Sequence, residues 1–391
     1  MCLRHSHLLT LCQGRESNPH ETLRPHGFLR PTRLPVPPPW QNLDRYQFQH
    51  CGLNWNFGLI YYIISTVTIE EIYQLAIKMG IGADPRGKEG VAKYLARQKK
   101  AYEELSTSKK EDFDLESLKN PYSDTRILFG DSSVNVDKIM AGIDFDTGEV
   151  VLADRLNQKG ESIDLLIAHH PSGGALASLH EVMDLQVDLM ASYGVPINVA
   201  EGMLSERVSE VRRKIGPINH YRSVDAARLL GLPFMCIHTV WDNLGWRFMA
   251  GIFEKKDYET VGDVMDILKT IPEYKQAIKY KAGPTIYWGS EKNRAGRVAV
   301  SEFTGGTEGA KEIYEKLSHA GIGTIIGMHV SEEHREEAKK YHINLIIAGH
   351  IVSDSVGANL FLDELEKRGI TIIPASGLIR VNRLKTRTKR S

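Results

Sequence analysis

The chain has 391 residues, no net charge, 42% hydrophobic residues and 25% charged residues. This length allows two or three domains or lobes, and the balanced charge gives no general attraction toward nucleic acid or an acidic membrane surface. The four cysteines, Cys2, Cys12, Cys51 and Cys236, lack the spacing of a disulfide framework or a paired-cysteine zinc site. We therefore expect a reducing, cytoplasmic setting.

Residues 1–65 differ in composition from the rest of the chain and include the proline-rich run at 35–39. Such a run favours extended chain, which a recognition arm also uses. The apolar stretches at 8–11 and 57–64 are too short for a signal peptide or a membrane span. We favour translated non-coding sequence upstream of a start near Val67 or Met79, and predict that residues 1–65 are a disordered or spurious extension.

Residues 66–125 predict a helical N-terminal region. Apolar side chains recur at helical spacing over 67–79, and Thr68 with Glu71 resembles a capping box. A second helix is predicted over 88–105, with many lysines. We interpret these lysines as a solvated helix face, the alternative being a surface for a partner.

The rest of the chain alternates between strand and helix patterns, which is typical of a doubly wound α/β protein. Strands are predicted at 126–129, 138–144, 163–168, 197–199, 234–238, 285–288, 297–302, 324–329, 344–350 and 370–374. Helices are predicted at 150–158, 176–193, 201–215, 221–230, 260–270, 274–280, 310–320, 332–342 and 353–368. Cys236 lies inside a predicted buried strand, so we interpret it as a core residue rather than a nucleophile.

Histidines end four of these strands, and two of them are followed by an aspartate at i+4. The set is His169 and His170, His238 with Asp242, His329, and His350 with Asp354. The carboxyl ends of parallel strands share one edge of a sheet, and an i+4 spacing puts two side chains on one helix face. Imidazole and carboxylate ligands suit Zn, Fe, Mn or Co, and these donors exceed the needs of one tetrahedral ion. We therefore predict two divalent metal ions sharing a carboxylate; the alternative is a set of buried histidines that donate to carbonyls.

A glycine-rich segment at 303–309 follows a predicted strand and precedes a predicted helix. Gly305, Gly306 and Thr307 would present backbone N–H groups at the positive end of that helix, which favours an anion. We predict an anion-binding site here, although a tight connection would need glycine equally.

Four stretches, at 141–144, 167–171, 238–242 and 348–354, resemble the Nif-three-like (NGG-one-interacting factor three-like) dinuclear metal-centre family. Some of its members are called GTP cyclohydrolase type two. The resemblance covers residues from about 140 to 380 and implies two similar α/β lobes facing each other, roughly 126–250 and 285–391 within a metal domain at 126–391. It also implies a ring-shaped homohexamer. The metal ligands it implies are His169, His170, Asp242, His350 and Asp354, with His238 close by.

This chain departs from the family at Asp354, where glutamate is usual. Aspartate is one methylene shorter, so a bridging role there requires its helix to lie closer to the ions. The helical stretch at about 80–120 is also larger than in short family members, and is either a lid or a lineage-specific addition.

Our first hypothesis is a metal-dependent hydrolase acting on a small anionic, nucleotide-like or phosphoester-like substrate. His238 or His329 would move protons, and the glycine-rich turn would hold a phosphate. The second hypothesis is a non-catalytic, metal-binding regulatory or adaptor protein. A nucleotide oxidoreductase is poorly supported, because no glycine-rich fingerprint follows the first strand. We expect a small-molecule substrate and a homo-oligomer, without a membrane or nucleic-acid partner.

Overall fold

A computed structural model describes residues 67–384. The predicted N-terminal extension at 1–65 and the last seven residues of the basic C-terminal tail, 385–391, lie outside the described residues. In the described range, no helix is both long and apolar enough to cross a membrane.

The strands are short and spread over the whole described range. In chain order they are β1 (Val67–Thr68), β2 (Thr125–Phe129), β3 (Asn135–Val136), β4 (Lys138–Gly142), β5 (Leu165–Ala168), β6 (Phe234–Ile237), β7 (Thr285–Trp288), β8 (Arg297–Val300), β9 (Ile322–Gly327), β10 (Asn344–Ile347) and β11 (Thr371–Ala375).

Helices make up most of the remaining structure. They are α1 (Ile69–Ala83), α2 (Gly87–Glu103), α3 (Thr107–Glu111), α4 (Thr147–Gln158), α5 (Gly173–Ala177), α6 (Leu185–Ser192), α7 (Ile197–Ile215), α8 (Arg222–Leu230), α9 (Thr239–Phe253), α10 (Val261–Lys269), α11 (Pro272–Lys279), α12 (Ile313–His319), α13 (Glu332–Lys340) and α14 (His350–Glu366). Two 3₁₀ turns, Leu115–Leu118 and Leu179–Asp184, complete the set. The predicted capping box is present, since Thr68 and Glu71 exchange hydrogen bonds at the start of α1.

Two separate sheets carry the fold, which confirms the α/β class. The first is five-stranded with the order β11-β4-β5-β6-β2, and the second is four-stranded with the order β7-β10-β9-β8. In each sheet the strands are parallel except for one antiparallel edge strand, β2 or β7. The last strand of the predicted second lobe at 285–391 does not join the second sheet. Strand β11 pairs instead with β4 of the first sheet.

Helices α9 and α14 join the two sheets. Val240 and Trp241 of α9, with Phe361 of α14, belong to the core on one face of the first sheet. Other side chains of the same helices, including Met249 and Val356, belong to the core of the second sheet. The two helices therefore run between the sheets, and their N-terminal turns start where strands β6 and β10 end.

Three local predictions were wrong. Residues 197–199, predicted as a strand, form the first turn of α7, because a short apolar run does not distinguish a strand from a buried helix turn. The helix predicted over 176–193 is broken into α5, a 3₁₀ turn and α6. Helix α12 begins at Ile313 rather than at residue 310.

Candidate metal centre

Strand register aligns the first group of predicted ligands. Gly142, Ala168 and Cys236 are opposite one another on β4, β5 and β6, so these three strands end together. His169 and His170 follow β5 directly, and His238 follows β6. The ring centroids of His169 and His238 are consequently 4.8 Å apart, although the two residues are far apart in sequence.

The two joining helices supply the carboxylates. Asp242 lies in the first turn of α9, and Asp354 lies one turn into α14. The helices cross closely at Gly357, where a Cβ atom would lie 1.9 Å from the carbonyl oxygen of Trp241. This crossing brings α14 near enough for the shorter Asp354 side chain to reach the histidines.

Asp354 lies at the centre of the cluster and is completely buried. Its Oδ1 is 3.6 Å from His169 Nε2, and its Oδ2 is 3.6 Å from His170 Nε2 and 3.7 Å from His350 Nε2. Among the described residues, neither of its carboxylate oxygens has a hydrogen-bond partner. A buried carboxylate without partners is expensive, so an electropositive group is expected between these atoms.

The distances in this cluster fit ligands of a shared cation. His169 Nε2 lies 3.3 Å from Asp242 Oδ1, and His238 Nε2 lies 3.9 Å from Asp242 Oδ2. Charge-assisted hydrogen bonds are shorter, at about 2.7–2.9 Å, whereas two atoms each about 2.0–2.1 Å from one ion in tetrahedral geometry are about 3.4 Å apart. The residues present therefore fit a metal ion.

Three groups of side chains in the described range could each hold a metal ion, the candidate ligand atoms of each group lying within 4.8 Å of one another. The groups are His169, His170 and His238; His170, His350 and Asp354; and His169, Asp242 and Asp354.

Three of the imidazoles are fixed through the nitrogen that faces away from the cluster. His169 Nδ1 is 3.1 Å from the carbonyl oxygen of Ile237, His170 Nδ1 is 2.6 Å from Asp144 Oδ1, and His238 Nδ1 is 2.7 Å from Asp124 Oδ2. Such partners fix the orientation and tautomer of an imidazole, and they leave Nε2 of each ring facing the cluster. Neither Asp124 nor Asp144 was predicted to have this role.

The charges of the cluster shift its pKa values. Burial lowers the pKa of His169, but the Asp354 and Asp242 carboxylates outweigh it and raise that pKa well above its ordinary value. Burial raises the pKa of Asp354, but the surrounding imidazoles outweigh it and lower that pKa to about 2. Burial lowers the pKa of His350 to about 4. Asp354 is therefore held as an anion, and His350 is held neutral as a metal ligand requires.

His329 lies beside the cluster rather than in it. Its ring centroid is 4.4 Å from that of His350, and its Nδ1 is 3.3 Å from Glu308 Oε1. The side chain is 38% exposed, so it can reach solvent as well as the cavity.

A cavity opens next to the cluster. Its walls include predicted ligands, His329, and five residues of the glycine-rich segment, which we call the cavity loop (303–309). Gly306 and Thr307 line the cavity, as do the carboxylates Glu302 and Glu308. The structure gives the anion prediction less support than the sequence did, because α12 begins four residues after the loop and carboxylates border it.

Gly305, the remaining residue of the predicted anion site, is not one of the described residues that line the cavity. Its carbonyl oxygen and that of Thr307 accept hydrogen bonds from Gln186 Nε2, at 2.8 Å and 2.7 Å. A Cβ atom at Gly305 would lie 2.6 Å from the Gln186 side chain, so this position needs glycine for close packing. The anion site itself stays a prediction.

Neither a protein-family model nor a curated protein sequence matches this chain. A NIF3 superfamily protein from Sphaerobacter thermophilus is similar in structure, with a TM-score of 0.63 and 26% identity, over 80% of this chain and 99% of that chain. The fold of this chain is therefore NIF3-like, as the resemblance implied. A Bacillus cereus protein related to NIF3 also matches, at 11% identity and a TM-score of 0.37, over 79% of this chain and 97% of that chain. Because that TM-score is below 0.5, the likeness rests on the Sphaerobacter thermophilus structure.

In this NIF3-like chain, six predicted residues from three separate stretches come together at one centre: His169, His170, His238, Asp242, His350 and Asp354. Their donors are compatible with metal binding, as the sequence predicted.

Proposed function

We propose that this protein is a metal-dependent hydrolase with two divalent ions that share Asp354. The observation that carries the proposal is the buried Asp354 carboxylate, which faces three imidazole nitrogens and has no hydrogen-bond partner in the described residues. His169 and Asp242 would complete one ion's ligands, and His170 and His350 those of the other. Imidazole and carboxylate ligands suit Zn, Fe, Mn or Co.

A pair of such ions supplies Lewis acidity and lowers the pKa of water, which is the chemistry that hydrolysis of a phosphoester requires. The protein side chains would then orient the substrate and move protons. His238 and His329 border the cavity, and we propose them for proton transfer. Carboxylates Asp124 and Glu308 hold one nitrogen of each ring, which leaves the other nitrogen available.

The charges of the side chains that line the cavity indicate how an anionic substrate would bind. Among the described residues that line the cavity there is no lysine or arginine, whereas Glu302 and Glu308 are both present. The ions would therefore be the main source of positive charge for an anionic substrate. We propose a small phosphoester or nucleotide-like substrate whose anionic group binds at the metal centre, with any polar contact to Thr307 secondary.

Metal analysis and hydrolysis assays on the full chain test this proposal. The purified protein is analysed for bound metals, reloaded with Zn, Mn, Fe or Co, and assayed with p-nitrophenyl phosphate, bis(p-nitrophenyl) phosphate and nucleotides. His170→Ala should lose metal and activity, while His319→Ala, at an exposed position on α12, should keep both. Activity that is unchanged in His170→Ala would refute the proposal. Metal binding without hydrolysis of any probe would favour the adaptor hypothesis.

We also propose that the protein assembles as a homohexamer in the cytoplasm. Light scattering during size-exclusion chromatography tests the assembly, and a monomer at micromolar concentration would contradict it. Cell fractionation tests the location.

A further inference from the structure

A chain of buried polar side chains begins between helices α1 and α2. Arg86 donates to both oxygens of Asp84, through Nε at 3.0 Å and Nη2 at 2.9 Å. Its guanidinium also lies over the ring of Tyr94 on α2, 4.8 Å from the ring centroid. The Arg86 and Asp84 side chains are 3% and 0% exposed, so water does not compete for this pair. The contact fixes α2 against the end of α1.

The chain continues through Tyr122 to the helix that carries Asp242. The Tyr122 hydroxyl donates to Asp84 Oδ2 at 2.9 Å, and Tyr122 is completely buried. Asn243 Nδ2 lies 3.3 Å from that hydroxyl and 3.5 Å from Asp84 Oδ2. Asn243 is the neighbour of Asp242 in α9 and is also completely buried.

The last link reaches the cavity loop. Thr304 Oγ1 donates to Asn243 Oδ1 at 2.6 Å. Thr304 is 6% exposed and lines the cavity beside the predicted metal ligands. Side chains from α6 and α13 hold the other end of the loop, since Gln186 bonds to Gly305 and His334 Nε2 contacts the carbonyl oxygen of Gly309.

Stability alone does not account for a polar chain in this place. Apolar side chains of similar volume would pack as well there, whereas each buried polar group costs free energy if one partner is lost. What the polar chain adds is a specific geometry, because each hydrogen bond fixes the next. The chain of hydrogen bonds runs from the N-terminal helices at one end to the cavity loop at the other.

We propose that Thr304 and Asn243 are positioning residues of the metal cavity, fixed in place by the N-terminal helices through Tyr122, Asp84 and Arg86. The helical region then acts as a brace for the cavity loop, not as a lid that opens over it. The effect on substrate rests on the proposed hydrolase function, but the effect on the loop does not.

Two substitutions break the chain at different links with little change in volume. Thr304→Val removes one hydroxyl at the loop, and Tyr122→Phe removes one hydroxyl far from the loop. Thr304→Ser keeps the hydroxyl and should restore the wild-type behaviour. Thr324→Val is the matched control, since it removes a buried hydroxyl that bonds elsewhere, to Ala295 O and to Asn344 Nδ2.

Amide hydrogen exchange on the full chain gives the readout that does not depend on hydrolysis. Loss of one buried hydrogen bond corresponds to about a 10-fold change in an equilibrium constant, so exchange at 303–309 should rise about 10-fold in both variants. The double variant should show no more than the larger single effect, because both hydroxyls act through one chain. Co²⁺ titration should show unchanged metal affinity, since no ligand is altered.

Any hydrolysis that is found should show a raised KM for Thr304→Val and Tyr122→Phe, with rescue in Thr304→Ser. Loop exchange that stays within twofold of wild type in Thr304→Val would overturn the proposal, even if Tyr122→Phe does not fold. An equal rise at 303–309 in the Thr324→Val control would overturn it as well. If exchange at 303–309 rises in the variants but the protein binds no metal, the proposed hydrolase function is contradicted. The proposal that the N-terminal helices fix the cavity loop is then still supported.

Discussion

Replacement of Asp354 by asparagine tests the centre most directly. The substitution keeps the size of the side chain and removes its charge. Asp354 belongs to two of the three groups that could hold an ion, so one change alters both proposed sites. The imidazoles around it lower its pKa from 3.8 to about 2 even without metal. That shift corresponds to about 2 kcal/mol in favour of the carboxylate form.

Asp354→Asn should lower metal affinity more than a substitution of a residue that only orients a metal ligand. Mutation of groups that only orient a metal ligand costs about 10-fold to 100-fold in affinity. A carboxylate that contacts the ions itself should cost at least about 100-fold, and Asp354→Asn should therefore lose metal on dialysis. The metal-free variant should remain folded, because the asparagine occupies the same volume.

Co²⁺ titration with elemental analysis measures this loss. Asp363→Asn is the matched control, because Asp363 is a buried aspartate on the same helix that pairs with Arg380, at 2.6 Å, instead of facing the histidines. The control should keep the wild-type metal content, at some cost in thermal stability. If Asp354→Asn binds the same number of ions with an affinity within about threefold of wild type, Asp354 is not a ligand and the reasoning fails.

Three further predictions concern the surroundings of the centre. Asp144→Asn should weaken Co²⁺ binding about 10-fold to 100-fold, because its carboxylate fixes His170 at 2.6 Å; unchanged affinity would contradict this. Burial lowers the pKa of His350 to about 4. In protein kept metal-free with EDTA, the contribution of the neutral His350 imidazole to stability is therefore complete above its ordinary pKa of 6.5 and is lost as the pH falls through 4. Urea unfolding from pH 7 to pH 4 should therefore show a smaller loss in His350→Gln, and equal losses would refute it. Gly357→Ala should lower the free energy of unfolding by about 1–3 kcal/mol or more through a clash with α9, whereas Gly202→Ala, which meets nothing within 4 Å, should not destabilise the protein.

The predicted ligands were accessible from sequence because each lies next to a buried strand. His169 and His170 follow β5 directly, and Asp242 follows His238 at the same i+4 spacing that separates His350 and Asp354. Helix α9 itself was not predicted, because it starts directly after His238 without a side-chain cap. The rule that strand ends converge needed only local patterns, so it succeeded without knowledge of the whole topology.

The supporting carboxylates were not accessible in this way. Asp124 lies in a turn before β2, and its partner His238 is 114 residues away. Their contact depends on β2 pairing antiparallel with β6, a register that no local pattern encodes. The same limit explains β11, whose apolar pattern predicts a buried strand but does not show which of two sheets it joins.

The helix crossing decides whether an aspartate can serve at position 354. A glutamate would reach the imidazoles from a more distant helix, whereas the shorter aspartate requires α14 to lie close to α9. Gly357 allows that approach, because its missing side chain leaves room for the Trp241 carbonyl, and Gly245 on α9 has the Ser353 and Gly357 backbone 3.5–3.6 Å from where its own Cβ would lie. The aspartate at position 354 therefore depends on the glycines at the crossing, because the shorter side chain needs the closer helices. A change at either place alone would move the carboxylate relative to the histidines that surround it.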